Sequence, residues 1–224
     1  MAIGELIRNS DLLWDGIADH DIIFRTVDAS GATADSGYDP YNATPGANFT
    51  ADKWYPLAPI SGESLNISFE KDEKDRLNAD SQKFDRRDTV TSVMITGEMH
   101  YDLEYFFRKN KNTLFSVLLK SSKRRDGMIK FMFFPIVKFR SDNEMTPSSD
   151  LFNFEIMAEP AKTSVALTQA DGASLSTEAW GASGKQIDSA TIIPVNSSGS
   201  DITHCTVAAG DFYEEFMLDE TYAP

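Results

Sequence analysis

The sequence predicts a mainly β protein in which two sheets pack as a sandwich or barrel beside one α-helix, with long loops and a C-terminal β extension. Residues 64–69 alternate between polar and apolar side chains, as a half-exposed antiparallel strand does. The β pattern returns in residues 88–101 after a charged run, and a second pair of β-type segments occupies residues 128–141 and 151–160. Residues 103–118 instead repeat apolar side chains at helical spacing. Two long hairpins and one amphipathic helix are therefore expected.

The first 62 residues predict a short helical segment, one strand and a long loop. Residues 3–17 space their apolar side chains as one or two helical turns, and residues 21–29, "DIIFRTVDA", have the composition of a strand. Residues 30–62 are rich in Gly, Pro, Asn, Asp, Ser and Thr and form a loop longer than compact domains usually carry. This loop either moves freely or packs on the domain. Packing is favoured by its aromatic residues, which include Tyr38, Tyr41, Trp54 and Tyr55.

The amphipathic helix is expected at about residues 101–123. Leu103, Phe106, Phe107 and Leu114 recur at spacings of three, four and seven residues. Acidic residues lie at the start of this segment and basic residues at its end, which is the arrangement that the helix dipole favours.

The strand predicted at residues 128–139 is apolar on both faces at its centre. Simple alternation gives one face Ile129, Phe131, Phe133, Val137 and Phe139, and the other face Met132, Phe134 and Ile136. A strand of an isolated sandwich has one apolar face, so either the helix or a neighbouring subunit must cover the second. Proline cannot donate to a ladder and occurs mainly on edge strands or at bulges. The sequence thus predicts a subunit-edge strand at Met132, Phe134, Pro135 and Ile136.

Composition changes after residue 160, where small polar residues and acids replace aromatic ones. Short β-type segments follow, separated by Gly and Ser turns, and "DFYEEFML" (211–218) fits a strand or a helical turn. We therefore divide the chain into a β-sandwich or barrel core at residues 1–160 and a C-terminal extension at residues 161–224. The extension is expected to be a small β addition or an arm.

The net charge of −14 is unevenly distributed, because residues 108–130 carry +7 inside an otherwise acidic chain. This segment is either a solvated surface or an interface that meets acidic surface on another copy. Nucleic-acid binding as the main task is not expected, since gripping phosphates requires a broader basic surface. The predicted basic interface patch consists of Lys120, Lys123, Arg124 and Arg125.

The charged run at residues 70–88, "EKDEKDRLNADSQKFDRRD", lies between the two strands of the first predicted hairpin and holds seven acids and six bases. A plain hairpin turn needs two to five residues, so this run is long enough to leave its own domain. It is either a disordered loop or an arm that contacts another subunit. The predicted inter-subunit residues are Lys71, Asp72, Glu73, Lys74, Asp75, Arg76, Lys83, Asp85, Arg86, Arg87 and Asp88.

Motifs of enzymes and metal sites do not occur in the sequence. The histidines are isolated from one another, and no nucleophile elbow, P-loop, dinucleotide-binding or zinc-protease pattern is present. We expect no catalytic residue, no metal and no cofactor. One cysteine, Cys205, cannot form an internal disulfide, and no signal peptide or transmembrane segment is visible. These features predict folding in a reducing cytoplasm without membrane insertion.

The order of elements resembles the tail tube protein, or major tail protein, of long-tailed bacteriophages. The likeness is carried by residues 63–160: a hairpin with an extended tip, one amphipathic helix, and a last strand of alternating aromatics, "FNFEIMAEP", ending in a small residue and proline. It covers a little under half of the chain. Residues 161–224 depart from the minimal pattern of the family.

This resemblance implies a structural protein whose six copies form a ring, with rings stacked into a hollow tube. The implied partners are further copies of the chain, a tape-measure protein, a tail terminator and distal tail proteins, with DNA passing through without specific binding. The implied location is the virion tail, assembled in the host bacterial cytoplasm. The sequence does not identify the lumen residues. The alternative is a monomeric β-sandwich binding module of a tail tip or adhesion apparatus, in which the loop at residues 30–62 contacts a ligand.

Overall fold

The structure is a computed structural model. It describes residues 21–39, 46–51, 53–56, 66–77, 84–100, 104–120, 128–141, 151–168 and 203–219. The helical segment predicted at residues 3–17 and the side chain of Tyr41 lie outside these ranges.

Ten strands and one helix make up the described part of the chain. Their bounds are β1 Asp21–Val27, β2 Tyr55–Pro56, β3 Asn66–Leu77, β4 Phe84–His100, α1 Glu104–Lys109, β5 Leu114–Lys120, β6 Met128–Ser141, β7 Leu151–Ala158, β8 Val165–Thr168, β9 Thr203–Val207 and β10 Glu214–Asp219. The main sheet has the order β2-β1-β5-β6-β7-β4-β3, β10 also pairs with β6, and β8 and β9 form a second sheet. Every strand pairing is antiparallel. The mainly β fold class, with sandwich-like layers and one helix, is confirmed.

Both predicted hairpins are present, since β3 pairs with β4 and β6 pairs with β7. The long helix is wrong for most of its length. Of the described residues in this segment, 104–109 alone are helical, and residues 114–120 form β5, which lies between β1 and β6. The sequence "LFSVLLK" is buried on both faces because β5 is an inner strand, and a short run that is apolar throughout fits either a helix or such a strand.

The predicted edge strand is also wrong, because β6 is an inner strand. It pairs with β5 on one side and with β10 and β7 in succession on the other. Met132, Phe134, Pro135 and Ile136 are all buried within the chain. Pro135 instead occupies a bulge, where β6 has one residue more than β5, and its carbonyl oxygen accepts a hydrogen bond from the Ser116 hydroxyl at 2.8 Å.

This bulge also changes which side chains share a face. Phe131 and Phe133 belong to one apolar cluster, whereas Met132, Phe134, Val137 and Phe139 belong to the other. An extra residue shifts the phase of alternation by one, so Val137 and Phe139 lie with Met132 and Phe134 instead of with Phe131. The assignment of faces by simple alternation therefore fails after the proline.

The two apolar faces of the main sheet are covered by different parts of the chain. One cluster contains Phe106 and Phe107 of α1 and Phe49 of the long loop. The other is closed by Val165 and Leu167 of β8 with residues of β9. The C-terminal extension thus supplies the second layer, and β10 extends the main sheet beside β6.

The described part of the long loop packs on the domain, as its aromatic content predicted. Trp54 and Tyr55 are buried, and the Arg25 guanidinium lies over the Trp54 ring, 4.7 Å from its centroid. The loop is fixed to the end of α1 by Asn110, whose carboxamide bonds both the amide and the carbonyl of Tyr38.

Candidate assembly surface

The hairpin of β3 and β4 extends well beyond the rest of the main sheet. Its register runs from Asn66 opposite Thr96 to Leu77 opposite Phe84. The neighbouring strand β7 pairs with β4 only between Met94 and His100. Among the described strands, none continues the sheet beside residues 70–77 and 84–92, which we call the arm. Eight residues on β3 at roughly 3.3 Å each give the arm a length of about 26 Å.

The arm begins at a β-bulge. The register shifts between Glu70 and Lys71, so Thr91 has no opposite residue, and its hydroxyl donates to the Glu70 carbonyl oxygen at 3.3 Å. Bulges increase the local twist of a ribbon and turn it away from the sheet. Glu70 and Lys71 are exposed at this point.

Most of the predicted inter-subunit residues lie on the two strands of the arm. Lys83 lies outside the described residues. The register places Glu73 opposite Asp88, Lys74 opposite Arg87, Asp75 opposite Arg86 and Arg76 opposite Asp85.

Two of these four opposite pairs therefore have like charges. Like charges directly opposite each other destabilise a two-stranded ribbon, whereas unlike charges stabilise it by roughly 0.2 to 1 kcal/mol. The charge pattern of the arm therefore does not maximise the stability of the isolated two-stranded ribbon.

Aromatic rings link the base of the arm to the buried core. The Phe69 side chain is 37% exposed, and its ring centroid lies 5.3 Å from that of Tyr213. Tyr213 also stacks on the buried Phe134 ring at 5.5 Å. Val90 of β4 packs beside them and is half-buried.

A groove of about 510 Å³ lies between the base of the arm and the start of β10. It is lined by Val90 and residues 210–215, and we call it the groove. The turn that forms one wall is held by two backbone hydrogen bonds of 2.8 Å, from the Gly210 amide to the Ala161 carbonyl and from the Ala161 amide to the Asp211 carbonyl. Gly210 has φ = 94°, a conformation that favours glycine.

The rim of the groove is acidic. Asp211, Glu214 and Glu215 are exposed there, and Lys130 forms an ion pair with Glu215 at 2.7 Å. Burial, together with the charges of Glu215 and Glu214, raises the pKa of the Tyr213 hydroxyl. Asp211 and Glu214 form no ion pair with another residue in the described part of the chain.

The predicted basic patch is not brought together in the described residues. Lys120 ends β5, opposite Asp21 of β1, so it does not lie at the C-terminus of a helix as predicted. Lys123, Arg124 and Arg125 lie outside the described residues. Other bases of the segment lie elsewhere: Arg108 and Lys109 are on α1, and Lys130 is on β6.

Sequence reasoning located the arm but missed the groove. Phe69 was visible as the apolar side of an alternating strand, and residues 211–218 were visible as a strand candidate. Neither signal indicates that they meet, because that contact depends on the long-range pairing of β10 with β6.

Within the described residues, no three His, Cys, Asp or Glu side chains lie close enough together to hold a metal ion. His204 stacks on Phe216 with ring centroids 5.8 Å apart. The six-residue α1 is too short to cross a bilayer, and the described part of the chain holds no other helix.

Comparisons with protein-family models, with curated proteins and with solved structures find no significant match to this chain.

Proposed function

We propose that this chain is a structural protein that assembles with copies of itself into stacked rings, forming the hollow tail tube of a long-tailed bacteriophage. The single observation that carries the proposal is the arm. A two-stranded ribbon about 26 Å long, unsupported by a third described strand, adds backbone and charge beyond what the β core requires. Isolated two-stranded ribbons are marginally stable, so a ribbon of this length is best explained by a surface outside the subunit that it contacts.

The form of the contact follows from the shape of the subunit. An arm that leaves one side of a subunit and contacts a different surface on the next makes a heterologous interface. Repetition of such an interface gives closed rings or open filaments, depending on the rotation between copies. Six copies per ring is the number that the resemblance to tail tube proteins implies.

The overall charge supports a role as a conduit. With a net charge of −14, an acidic inner wall would repel the phosphates of passing DNA and would not hold them. In this proposal the protein is made and assembled in the host bacterial cytoplasm and ends in the virion tail. Its partners there are a tape-measure protein, a tail terminator and distal tail proteins, and the chain is neither an enzyme nor inserted in a membrane.

A monomeric binding module is less well supported. A binding module of this kind requires the aromatic side chains of the loop at residues 30–62 to be exposed to a ligand. Trp54 and Tyr55 are each 2% exposed or less and Tyr38 is half-buried, so the described tyrosine and tryptophan side chains of the loop pack on the domain and are not presented to a ligand.

The test is the size and shape of the purified full-length protein. We expect light scattering at rising concentration to show species far above the 24.9 kDa monomer, and negative-stain microscopy to show rings or tubes. A protein that stays monomeric at all concentrations, also with tail partners added, contradicts the proposal.

A further inference from the structure

We propose that the groove at the base of the arm is the receptor for the end of the arm of a second copy. This inference rests on the proposed self-assembly and names the surface that the arm contacts. Its receptor side is made of Phe69, Val90 and residues 210–215.

The first argument is the distribution of apolar residues along the arm. Only two large apolar residues occur between residues 70 and 88, and the register places them together: Leu77 is opposite Phe84 in the last described pair of the ribbon. Most of the charged residues of this run lie nearer the base of the arm. An apolar pair at the end of a projecting ribbon is the pattern of an anchor that fills a pocket on a partner.

The groove has room for such an anchor and offers it apolar side chains between exposed acids. Its volume of about 510 Å³ is comparable to that of ligand pockets, and the groove is open to solvent on one side. Val90, Phe212 and Tyr213 are half-buried, and Phe69 beside them is 37% exposed. These side chains already contact the core, so a bound apolar residue would extend the core and not create a separate one.

The second argument is charge, because the arm is polarised along its length. The described end of the arm, residues 76–77 and 84–87, holds three bases and one acid. Residues 70–75 together with Asp88, nearer the base, hold five acids and two bases. The rim of the groove adds Asp211 and Glu214 to the acidic side, while the charge of Glu215 is balanced by its ion pair with Lys130. The basic end of one copy is therefore complementary to the acidic base of another, and this pairing disfavours contact between two like ends.

The third argument is direction. The end of the arm and the groove lie at opposite ends of the same ribbon, so a paired arm cannot reach its own groove. Each copy offers one arm end and one groove, which makes the contact head-to-tail. A repeated contact of this kind connects any number of copies in series.

Disulfide cross-linking between two variants, each with one engineered cysteine, tests the contact. One copy carries Asp85→Cys at the end of the arm, and the other carries Asp211→Cys on the rim of the groove. The native Cys205 is buried, so it does not compete under native conditions. Each chain has one engineered thiol, so any bond between the two must join different copies.

We expect the mixture to give a dimer that contains one chain of each variant under mild oxidation, at a yield at least tenfold above either variant alone. The matched control replaces Asp211→Cys with Thr206→Cys, an exposed position on β9 outside the groove. Equal yields for Thr206→Cys and Asp211→Cys overturn the inference.

Charge reversal gives an independent test. Glu214→Lys and Arg86→Glu should each weaken self-association by about tenfold, and a mixture of the two variants should regain much of it. Lys162→Glu, a reversal at an exposed site outside the groove, should leave association unchanged. If the wild type assembles but Glu214→Lys assembles equally well, the receptor is elsewhere. If the wild type does not assemble at all, the proposed function fails instead.

Discussion

Asn110 joins three parts of the chain through one buried carboxamide. Its side-chain nitrogen donates to the carbonyl oxygens of Tyr38 at 2.9 Å and Phe106 at 3.3 Å. Its side-chain oxygen accepts from the Tyr38 amide at 2.7 Å and the Thr113 hydroxyl at 3.3 Å. A Cβ at Gly37 would lie 2.8 Å from that oxygen, and Gly37 has φ = 75°, so the loop approaches Asn110 through a glycine. The end of α1 and the long loop are thus held as one unit.

Asn110→Ala should lower the free energy of unfolding by about 2 to 4 kcal/mol, because it leaves the part-buried backbone of Tyr38 without its side-chain partners. Urea denaturation measures the change. The matched control is Asn112→Ala, which alters an exposed turn residue two positions away and should cost less than about 0.5 kcal/mol. Similar losses for the two variants contradict this role of Asn110.

Cys205 gives stability a dependence on alkaline pH. Burial, with a smaller contribution from the charge of Glu214, raises the pKa of the thiol from 9.0 to about 12. The thiol stays protonated in the folded chain while the unfolded chain ionises above pH 9, so its contribution is fully present below pH 9 and is lost as pH rises toward 12.

At pH 10 this loss should be about 1.4 kcal/mol relative to pH 8. Cys205→Ala removes the titrating group, and comparison with the wild type at both pH values isolates the effect from other alkaline titrations. An identical pH dependence for the two proteins would show that Cys205 is not its source.

At the scale of elements, the bulge at Pro135 lets β6 contribute large side chains to both apolar clusters. Before the bulge, β6 presents Phe131 and Phe133 to the layer formed by β8 and β9. After it, Val137 and Phe139 face the cluster that contains α1. The Phe139 ring stacks on Phe115 there, with centroids 4.4 Å apart. The extra residue is therefore needed to direct the large side chains on both halves of β6 to their own clusters.

Inserting one alanine between Pro135 and Ile136 should be far more damaging than replacing Pro135. The insertion adds a second extra residue to β6 and turns Val137 and Phe139 away from the face of Met132 and Phe134, which should cost at least about 4 kcal/mol. Pro135→Ala keeps the residue count and should cost less than about 1.5 kcal/mol. Thermal and urea unfolding of the two variants measure the difference, and equal stabilities contradict the account of the bulge.

Strands with one buried and one exposed face were predicted best from the sequence. Alternation in residues 64–69 correctly predicted the start of β3. The polar segment between two β-type segments correctly predicted the pairing of β6 with β7. It failed for β5, because an inner strand buried on both faces has no polar side to mark its period. It also failed for the faces of β6, since a bulge changes the phase without changing the composition.

At the scale of the molecule, residues far apart in sequence form the candidate assembly surface. The arm was predictable from its charges and length, because both are local properties of residues 70–88. The groove was not, since β10 reaches the base of the arm only through its pairing with β6. The described part of the extension completes the second core and also supplies the acidic rim. One segment thus serves both the stability of the subunit and the proposed contact between subunits.

The central claim is that the arm joins copies of this protein without being needed for the fold of each copy. The variant that tests it replaces residues 74–87 with Asn-Gly, a two-residue turn suited to closing the hairpin after Glu73 opposite Asp88. Sedimentation and negative-stain microscopy then compare this variant with the wild type at equal concentration. We expect the variant to fold with a thermal midpoint within a few degrees of the wild type and to remain monomeric, while the wild type forms rings or tubes. Tubes of normal length from the shortened variant would contradict the claim.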